Sequence, residues 1–238
     1  MLVDGESDKL ARKVGHLLAN DPQFAALLPD RDVSEAIVDP DVGWVELMRT
    51  VATGYADRPA LGQRATEPVA AADGRRTLQV LPRFDTITYA QLWSRVTATA
   101  AALADGFASS GDRVATLGFC SVDYTAIDMA VPVLGGVSVP LHAGAPVDQL
   151  LNVVDEAQPS VIASSAEHLG TAVAIALQGP APKLVIVFDY HPEVDDHLEA
   201  LNEARRRIGE SGGSIVLETL AQTIDRGARL SVPSDPVS

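Results

Sequence analysis

The segment RVATLGFCSVDYTAIDMAVPVLGGVSVPL, from Arg113 to Leu141, joins two short valine-rich runs through a stretch of helix length. The first run covers residues 113–119 and the second covers residues 137–141. Short apolar runs separated by helix-length segments are typical of parallel strands joined by crossover helices. The segment therefore predicts a β-α-β unit whose helix spans residues 122–134.

The same alternation continues toward the C-terminus. Three further valine- and isoleucine-rich runs follow, each separated from the next by a helix-length segment. Repetition of this kind predicts one mostly parallel sheet flanked by helices, which is an α/β fold. The additional strands are predicted at residues 160–163, 183–188 and 214–217, and the additional helices at residues 147–156, 166–177, 194–208 and 218–226.

Residues before this alternation have a different character. Apolar residues at helical spacing predict an N-terminal helical preface over residues 1–56, in which Trp44, Leu47, Met48 and Val51 are expected to make core contacts. Short β runs then indicate an antiparallel excursion with a turn at Asp73-Gly74, and a helix is predicted from Tyr89 to Ala104. The predicted domains are residues 1–56, residues 57–230 as the N-terminal portion of an α/β domain, and residues 231–238 as a linker or truncated end.

Composition restricts the classes of partner. The chain has 32 acidic and 18 basic residues and a formal net charge of -14, so nucleic acids and anionic membranes are expected to repel it. It contains a single cysteine and no apolar run of the length of a signal peptide or a membrane span, which predicts a cytoplasmic protein. The arginines of the Arg205-Arg206-Arg207 run are interpreted as pairing with nearby glutamates at i to i+4 spacing on a solvent-exposed helix face.

Familiar nucleotide-binding and hydrolase motifs are absent from the sequence. It has no G-x-x-x-x-G-K-[ST] loop, no G-x-G-x-x-G after a strand, no G-x-S-x-G elbow and no H-E-x-x-H. The isolated pairs Gly135-Gly136 and Gly212-Gly213 are interpreted as turns. Motif spacing alone therefore identifies no phosphate-binding loop.

Two regions after predicted strands carry polar residues suited to a site. His142 follows one strand, at the position where open α/β sheets bind ligands. After a later strand the chain could hold a divalent metal, or its carboxylates could cap the helix that begins near Val194, and capping is the favoured interpretation. The residues of this second cluster are Asp189, His191, Glu193, Asp195, Asp196 and His197.

The residues near the single cysteine present a similar choice. Ser121 and Asp123, next to Cys120, resemble a site but also match a helix N-cap, and capping is the prediction. Cys120 itself lies beside an apolar strand, where a small buried thiol is expected. We assign no catalytic, cofactor-binding or metal-binding residue from the sequence.

Several phrases in register resemble the adenylate-forming superfamily, and more closely the adenylation domain of carboxylic acid reductases, also called fatty-acid-CoA ligases. Four phrases fit the superfamily: Asp57 to Leu61, Ile87 to Leu92, Gly111 to Ala115 and Leu134 to Leu141. The reductase-like phrases are GYADRPALGQRA at 54–65, LPRFDTITY at 81–89, LGFCSVDY at 117–124 and VFDY at 187–190, with DPQF at 21–24 in the helical preface.

The resemblance implies an incomplete adenylate-forming domain. Reductases of this family use ATP and Mg²⁺ to convert a carboxylic or fatty acid into an acyl-adenylate, transfer the acyl group to a phosphopantetheine thiol and reduce the thioester with NADPH. The family's T-S-G-S-T-G-x-P-K-G phosphate loop and later motifs do not occur in these 238 residues, so the chain alone is expected to be inactive. A departure at Leu141 to Pro146, where reductases read closer to L-Q-T-S-A-P, prevents any inference about the preferred acid.

Other interpretations remain open. The chain could be a non-catalytic interaction or acyl-ligand-binding module derived from such a domain, or an independent flavodoxin-like binding protein with a ligand near His142 or Asp189. An uncovered apolar face and open sheet edges would favour self-association.

Overall fold

A computed structural model describes residues 4–232, with side chains described from residue 8 onward. The predicted linker at 231–238 therefore lies almost entirely outside the described residues. The chain divides into two compact units, Met1–Val42 and Gly43–Ser238. The functional division at residue 57 stays a prediction.

From residue 4 onward, the first unit contains three helices: α1 (Asp4–Asn20), α2 (Pro22–Ala26) and α3 (Arg31–Ala36). Helix α2 begins at Pro22, directly after Asp21. The Asp21 carboxylate accepts hydrogen bonds from the backbone N–H groups of Gln23 and Phe24 and so caps α2. Asp30 caps α3 in the same way, through the N–H of Val33.

The second unit begins with α4 (Trp44–Gly54) and an antiparallel hairpin. The hairpin is longer than the short runs that the sequence predicted. It has two strands, β1 (Pro59–Ala70) and β2 (Arg76–Thr88), paired along their length apart from two register shifts. Its turn lies at Asp73-Gly74 as predicted. Gly74 has φ of +83° and the Asp73 carboxylate accepts from the N–H of Arg75.

The rest of the unit is the predicted α/β alternation. Helix α5 (Tyr89–Ala104) begins at a capping box in which Thr88 and Gln91 exchange hydrogen bonds. The strands are β3 (Arg113–Leu117), β4 (Val137–Leu141), β5 (Val161–Ser165), β6 (Leu184–Phe188) and β7 (Val216–Thr219). The helices are α6 (Val122–Val133), α7 (Val147–Ala157), α8 (Leu169–Gln178) after a 3-10 turn at Ala166–His168, α9 (Asp195–Glu210) and α10 (Leu220–Gly227).

The five strands form one parallel sheet in the order β4-β3-β5-β6-β7. Successive side chains of a strand point to opposite faces, so each strand contributes to two cores. Ala115, Ile162 and Val185 face α7, α8 and α9 on one side. Val114, Val161 and Leu184 face α5, α6 and α10 on the other. All residues of β5 and β6 are buried. This explains the uninterrupted apolar run of β6, whereas β5 ends in the buried polar residues Ser164 and Ser165.

A third apolar cluster lies outside the sheet, where α4 packs on α5 and α6. It contains Met48, as expected from the sequence. Trp44 is a correction to the prediction, because its side chain is 63% exposed rather than in the core. Position 44 opens the helix, and its ring lies at the rim of an apolar groove of about 350 Å³ together with Leu47 and Val51.

Candidate functional site

The carboxyl edge of the sheet is the strongest candidate for a site. From β3 the chain leads first to β4 on one side and later to β5 on the other, so the loops that follow β3 and β5 diverge at this point of the sheet. Open parallel sheets bind ligands in the crevice at such a switch point. The loops concerned are residues 118–121 after β3 and residues 166–168 after β5, with Asp189 after β6 next to them.

The hairpin β1–β2 covers this edge. Gln63 of β1 accepts a hydrogen bond from the N–H of Val122, at the beginning of α6. At the other end of the hairpin, Arg75 donates to both carboxylate oxygens of Glu199, at 2.9 and 2.8 Å, and to Asp196 at 2.5 Å. The hairpin is therefore attached to α6 at one end and to α9 at the other, and it covers the loops.

Two carboxylates of the acidic cluster after β6, Asp195 and Asp196, bind the hairpin. The Asp195 carboxylate accepts from the backbone N–H of Arg76, while Asp196 binds the Arg75 side chain. Among the residues that the structure describes, no group of three or more His, Cys, Asp or Glu side chains is arranged to hold a metal ion. The predicted capping is wrong in its mechanism: Val194 is the N-cap of α9 and no side chain caps it, although Asp195 and Asp196 lie in the first turn, where the helix dipole favours them.

Asp189 is the most perturbed carboxyl group of the edge. It has φ of +50°, a left-handed conformation that aspartate tolerates better than most residues, and its backbone N–H donates to Asp123 at 3.1 Å. Burial raises the pKa of Asp189 to about 6; a hydrogen bond with Ser121 opposes this shift, and the charges of Asp123 and Glu167 add to it. The carboxyl group is thus ionised at neutral pH without full solvation.

Two histidines complete this side of the edge. His197 of α9 accepts a hydrogen bond at Nδ1 from the backbone N–H of His191 at 3.1 Å, and its ring stacks on Tyr190. Burial is the main cause that lowers the pKa of His197, and the charge of His191 lowers it further. His197 therefore remains neutral at pH 7, because an imidazole with an ordinary pKa near 6.5 is already mostly neutral there.

Ser121 and Asp123 have separate functions. The Ser121 hydroxyl accepts from the N–H of Tyr124 at 3.0 Å, which confirms the predicted N-cap of α6. Asp123 instead forms a half-buried ion pair with Arg95 of α5, which the sequence did not predict. Cys120 is exposed rather than buried, which corrects the expectation for this thiol. It is displaced from the sheet because β3 ends at Leu117.

A cavity of about 320 Å³ lies between the hairpin and these loops, and we call it the edge cavity. A volume of this size is at the lower end of the range typical of small-molecule sites. None of its lining residues is lysine or arginine. Its lining is Gln63, Thr66, Leu78, Phe119, Cys120, Ser121, Ser165, Ala166, Glu167, Asp189, His191 and His197.

The other residues considered from the sequence lie elsewhere. His142 is exposed after β4, the outermost strand, and does not line the edge cavity. Arg206 pairs with Glu203 and Glu210, which confirms the predicted helix-face pairing, while Arg207 donates to the backbone oxygen of Gly170. No helix of the described residues is both long enough and apolar enough for a membrane span.

The raised pKa of Asp189 gives a prediction for stability. A carboxyl group with a raised folded-state pKa stabilises the fold below its unfolded pKa of 3.8, and this contribution is lost as the pH rises through about 6. After allowance for partial exposure, we expect Asp189→Asn to increase the free energy of unfolding at pH 7.5 by about 1–2 kcal/mol. The gain should vanish near pH 4. Asparagine also tolerates the left-handed backbone.

Chemical unfolding at several pH values tests this expectation. The control is Asp155→Asn, on the exposed face of α7, which should change stability little at any pH. A gain for Asp189→Asn that is equal at pH 4 and pH 7.5 would contradict the assigned titration.

The edge cavity does not fit a nucleoside triphosphate. Polyphosphate binding requires cations or a cluster of backbone N–H donors, whereas this cavity presents the carboxylates Glu167 and Asp189 and no lysine or arginine. No step of phosphate chemistry can therefore be assigned to it.

Comparison with known proteins identifies the family. The model of the AMP-binding enzyme family matches residues 50–225. A carboxylic acid reductase of Mycobacterium tuberculosis is 49% identical over 232 residues, which cover 97% of this chain and 19% of the reductase. The chain thus spans about a fifth of the length of this curated relative.

Solved structures agree with this assignment. The adenylation domain of a carboxylate reductase from Mycobacterium chelonae is 43% identical with a TM-score of 0.89, and the match covers 100% of this chain and 36% of that domain. The adenylation and carrier didomain of a reductase from Segniliparus rugosus, solved with AMP, is 40% identical with a TM-score of 0.88, covering 95% of this chain and 32% of that one. The predicted α/β fold, with its parallel sheet and antiparallel hairpin, is confirmed as the fold of these adenylation domains. The chain belongs to the AMP-binding enzyme family, and the relatives described above are carboxylic acid reductases.

Proposed function

We propose that residues 1–238 are the N-terminal scaffold portion of a domain that activates a carboxylic or fatty acid as its acyl-adenylate, and that these residues alone do not catalyse the reaction. The observation that carries the proposal is the match of the whole chain to about a third of a reductase adenylation domain. In the complete enzyme we expect ATP and Mg²⁺ to be used, with phosphopantetheine and NADPH serving the later steps.

The charge of the edge cavity supports the proposal that these residues alone are inactive. In adenylate formation a carboxylate oxygen attacks the α-phosphorus of ATP and pyrophosphate leaves, so donors and cations must stabilise the developing negative charge. The sequence contains no T-S-G-S-T-G-x-P-K-G loop, and the edge cavity carries carboxylates in place of cations. These residues can hold the sheet and its loops in place but present no group to the phosphates.

A domain chimera tests the scaffold function. Residues 1–238 would replace the matching segment of a carboxylic acid reductase, and acid-dependent pyrophosphate release would be compared with that of the parent. We expect the chimera to retain activity within about tenfold, since the exchanged segment holds no catalytic group. A folded, soluble chimera without activity would show that this segment supplies more than a scaffold.

The second candidate is a non-catalytic interaction or acyl-ligand-binding module. It is favoured by the apolar groove between α4, α5, α6 and β1, where Trp44 is largely exposed. Large exposed apolar surfaces promote association. We therefore expect the isolated chain to self-associate as its concentration rises, and we expect Trp44→Ser to weaken that association.

Sedimentation velocity over a concentration series measures this association. Phe84→Ser is the matched control, because Phe84 is similarly exposed but lies on the hairpin, outside the groove. A chain that stays monomeric and unfolds cooperatively would count against self-association through this face.

A further inference from the structure

The hairpin β1–β2 consists of two halves that meet at an irregularity. The pairing of Arg64 with Phe84 is followed directly by the pairing of Thr66 with Val80. One residue of β1 therefore lies opposite three residues of β2, which interrupts the ladder of hydrogen bonds and allows the ribbon to bend. Pro82, one of these three residues, has no N–H to donate.

The base of the hairpin, residues 59–64 and 84–88, is fixed by packing. Leu61 and Ile87 pack against the apolar cluster at α4, α5 and α6. The Gln63 side chain accepts a hydrogen bond from a backbone N–H at the beginning of α6. The base is also joined closely in sequence to α4 and directly to α5. It therefore cannot move without disturbing a core.

The tip of the hairpin, residues 66–80, is held differently. None of its side chains is buried. Arg75 donates to Glu199 and Asp196, and the backbone N–H of the next residue donates to Asp195. The side chains of this ion pair network are 41–76% exposed. Exposed ion pairs contribute little to stability and are screened by salt, so the tip is held on α9 by weak contacts.

The charges on the two sides favour this attached position. The beginning of α9 contributes three carboxylates that bind the tip, and the turn of the tip contributes two arginines. The one carboxylate in the turn, Asp73, accepts from the N–H of Arg75 and is thus used within the turn. Opposite charges therefore face each other across the contact, and their attraction falls as the ionic strength rises.

The tip forms one wall of the edge cavity. Thr66 and Leu78 line the cavity from the tip, whereas Gln63 lines it from the base. Bending at the irregularity would take Thr66 and Leu78 away from the loops and leave the cavity open to solvent. Leu78 is the apolar side chain that the tip contributes to the lining, so little apolar surface opposes the movement.

We propose that the tip is a hinged flap that opens the edge cavity by bending at the irregularity, and that the contacts of Arg75 with Glu199 and Asp196 hold it closed. Salt shifts the flap toward the open state, because the Debye length falls from about 30 Å at 0.01 M to about 3 Å at 1 M ionic strength. The flap is independent of the function proposed above, because neither ATP nor an acid takes part.

Distances between two spin labels, measured by pulsed electron paramagnetic resonance, test the opening. The labels are attached at Ala72→Cys in the turn of the tip and at Asn152→Cys on the exposed face of α7, with Cys120→Ser to remove the native thiol. We expect one dominant distance at about 0.01 M salt and, at about 1 M, a second distance whose population is at least about threefold larger than at low salt. A label pair at Thr86→Cys and Asn152→Cys reports on the base and should keep one distance throughout.

A double variant tests the contacts that hold the flap. Asp196→Asn combined with Glu199→Gln removes both acidic partners of Arg75 at exposed positions, so the core stays intact. We expect the open distance to predominate at both salt concentrations. Glu203→Gln is the matched control, because it makes the same chemical change on the same helix but its carboxylate pairs with Arg206. It should keep the closed distance at low salt and the full response to salt.

Three results would contradict the flap. An unchanged single distance for the tip, both at high salt in the otherwise unchanged chain and in the double variant, would overturn the proposal. Equal changes in the tip and base label pairs would show that the whole hairpin moves, which excludes a hinge within it. A full salt response that persists in the double variant would show that Arg75 does not hold the tip closed.

Discussion

Replacing Gly227 by alanine is expected to destabilise the second unit by about 2–4 kcal/mol. Gly227 ends α10 at the point where that helix meets α5. A Cβ atom at this position would lie 1.8 Å from the backbone oxygen of Ala98 and 2.7 Å from its carbonyl carbon. Backbone atoms of a buried helix cannot move aside as a flexible side chain can. The substitution therefore forces α10 away from α5 and disrupts the Arg226 hydrogen bond to Ala102.

The same substitution at Gly209 provides the control. Gly209 lies near the end of α9, and no atom lies within 4 Å of the position that its Cβ would occupy. Alanine there should stabilise the chain by about 0.5 kcal/mol, because glycine is a poor helix former. Both tryptophans belong to the second unit, so unfolding in guanidinium followed by tryptophan fluorescence reports on that unit. Equal effects of the two substitutions would show that α10 does not pack as described.

Replacing Phe188 by alanine is expected to cost about 3–5 kcal/mol. Phe188 is fully buried at the end of β6 and packs edge to face against Tyr124 of α6. Its removal leaves a cavity between sheet and helix that the surrounding strands cannot fill, and the lost contacts add to the lost transfer free energy.

Phe119→Ala is the matched control for this prediction. It makes the same chemical change at a ring that is mostly exposed, and we expect an effect of about 0.5 kcal/mol or less. The difference between the two variants, measured by the same unfolding experiment, isolates the contribution of burial. Comparable losses from both would contradict the described core.

Much of the fold could be predicted because the local signals agree with the tertiary structure. Helix α5 begins and ends at the predicted residues, since Thr88 and Gln91 form a capping box and the apolar residues follow helical spacing. Strand β4 likewise has its predicted bounds. The strands of the hairpin are longer than the sequence predicted, because they carry many polar and charged residues that give no apolar strand pattern. Pairing between the two strands, rather than apolar content, holds them together.

Features that depend on distant residues could not be predicted. The attachment of Arg75 to Glu199 joins positions 124 residues apart, and the sequence shows no pattern that couples them. The exposure of Trp44 depends equally on which neighbours surround the start of α4. At the edge of the sheet the sequence indicated that Asp189 follows a strand. Its burial, and its proximity to Ser165 in one cavity, required the three-dimensional arrangement.

Pyrophosphate release by the purified 238-residue chain tests the central claim most directly. The chain would be incubated with ATP, Mg²⁺ and a panel of aromatic and fatty acids, beside a full-length carboxylic acid reductase as the positive control. The proposed scaffold function predicts no acid-dependent release from a folded sample while the control is active. Acid-dependent release above the enzyme-free blank would contradict it and would show that these residues contain catalytic groups of their own.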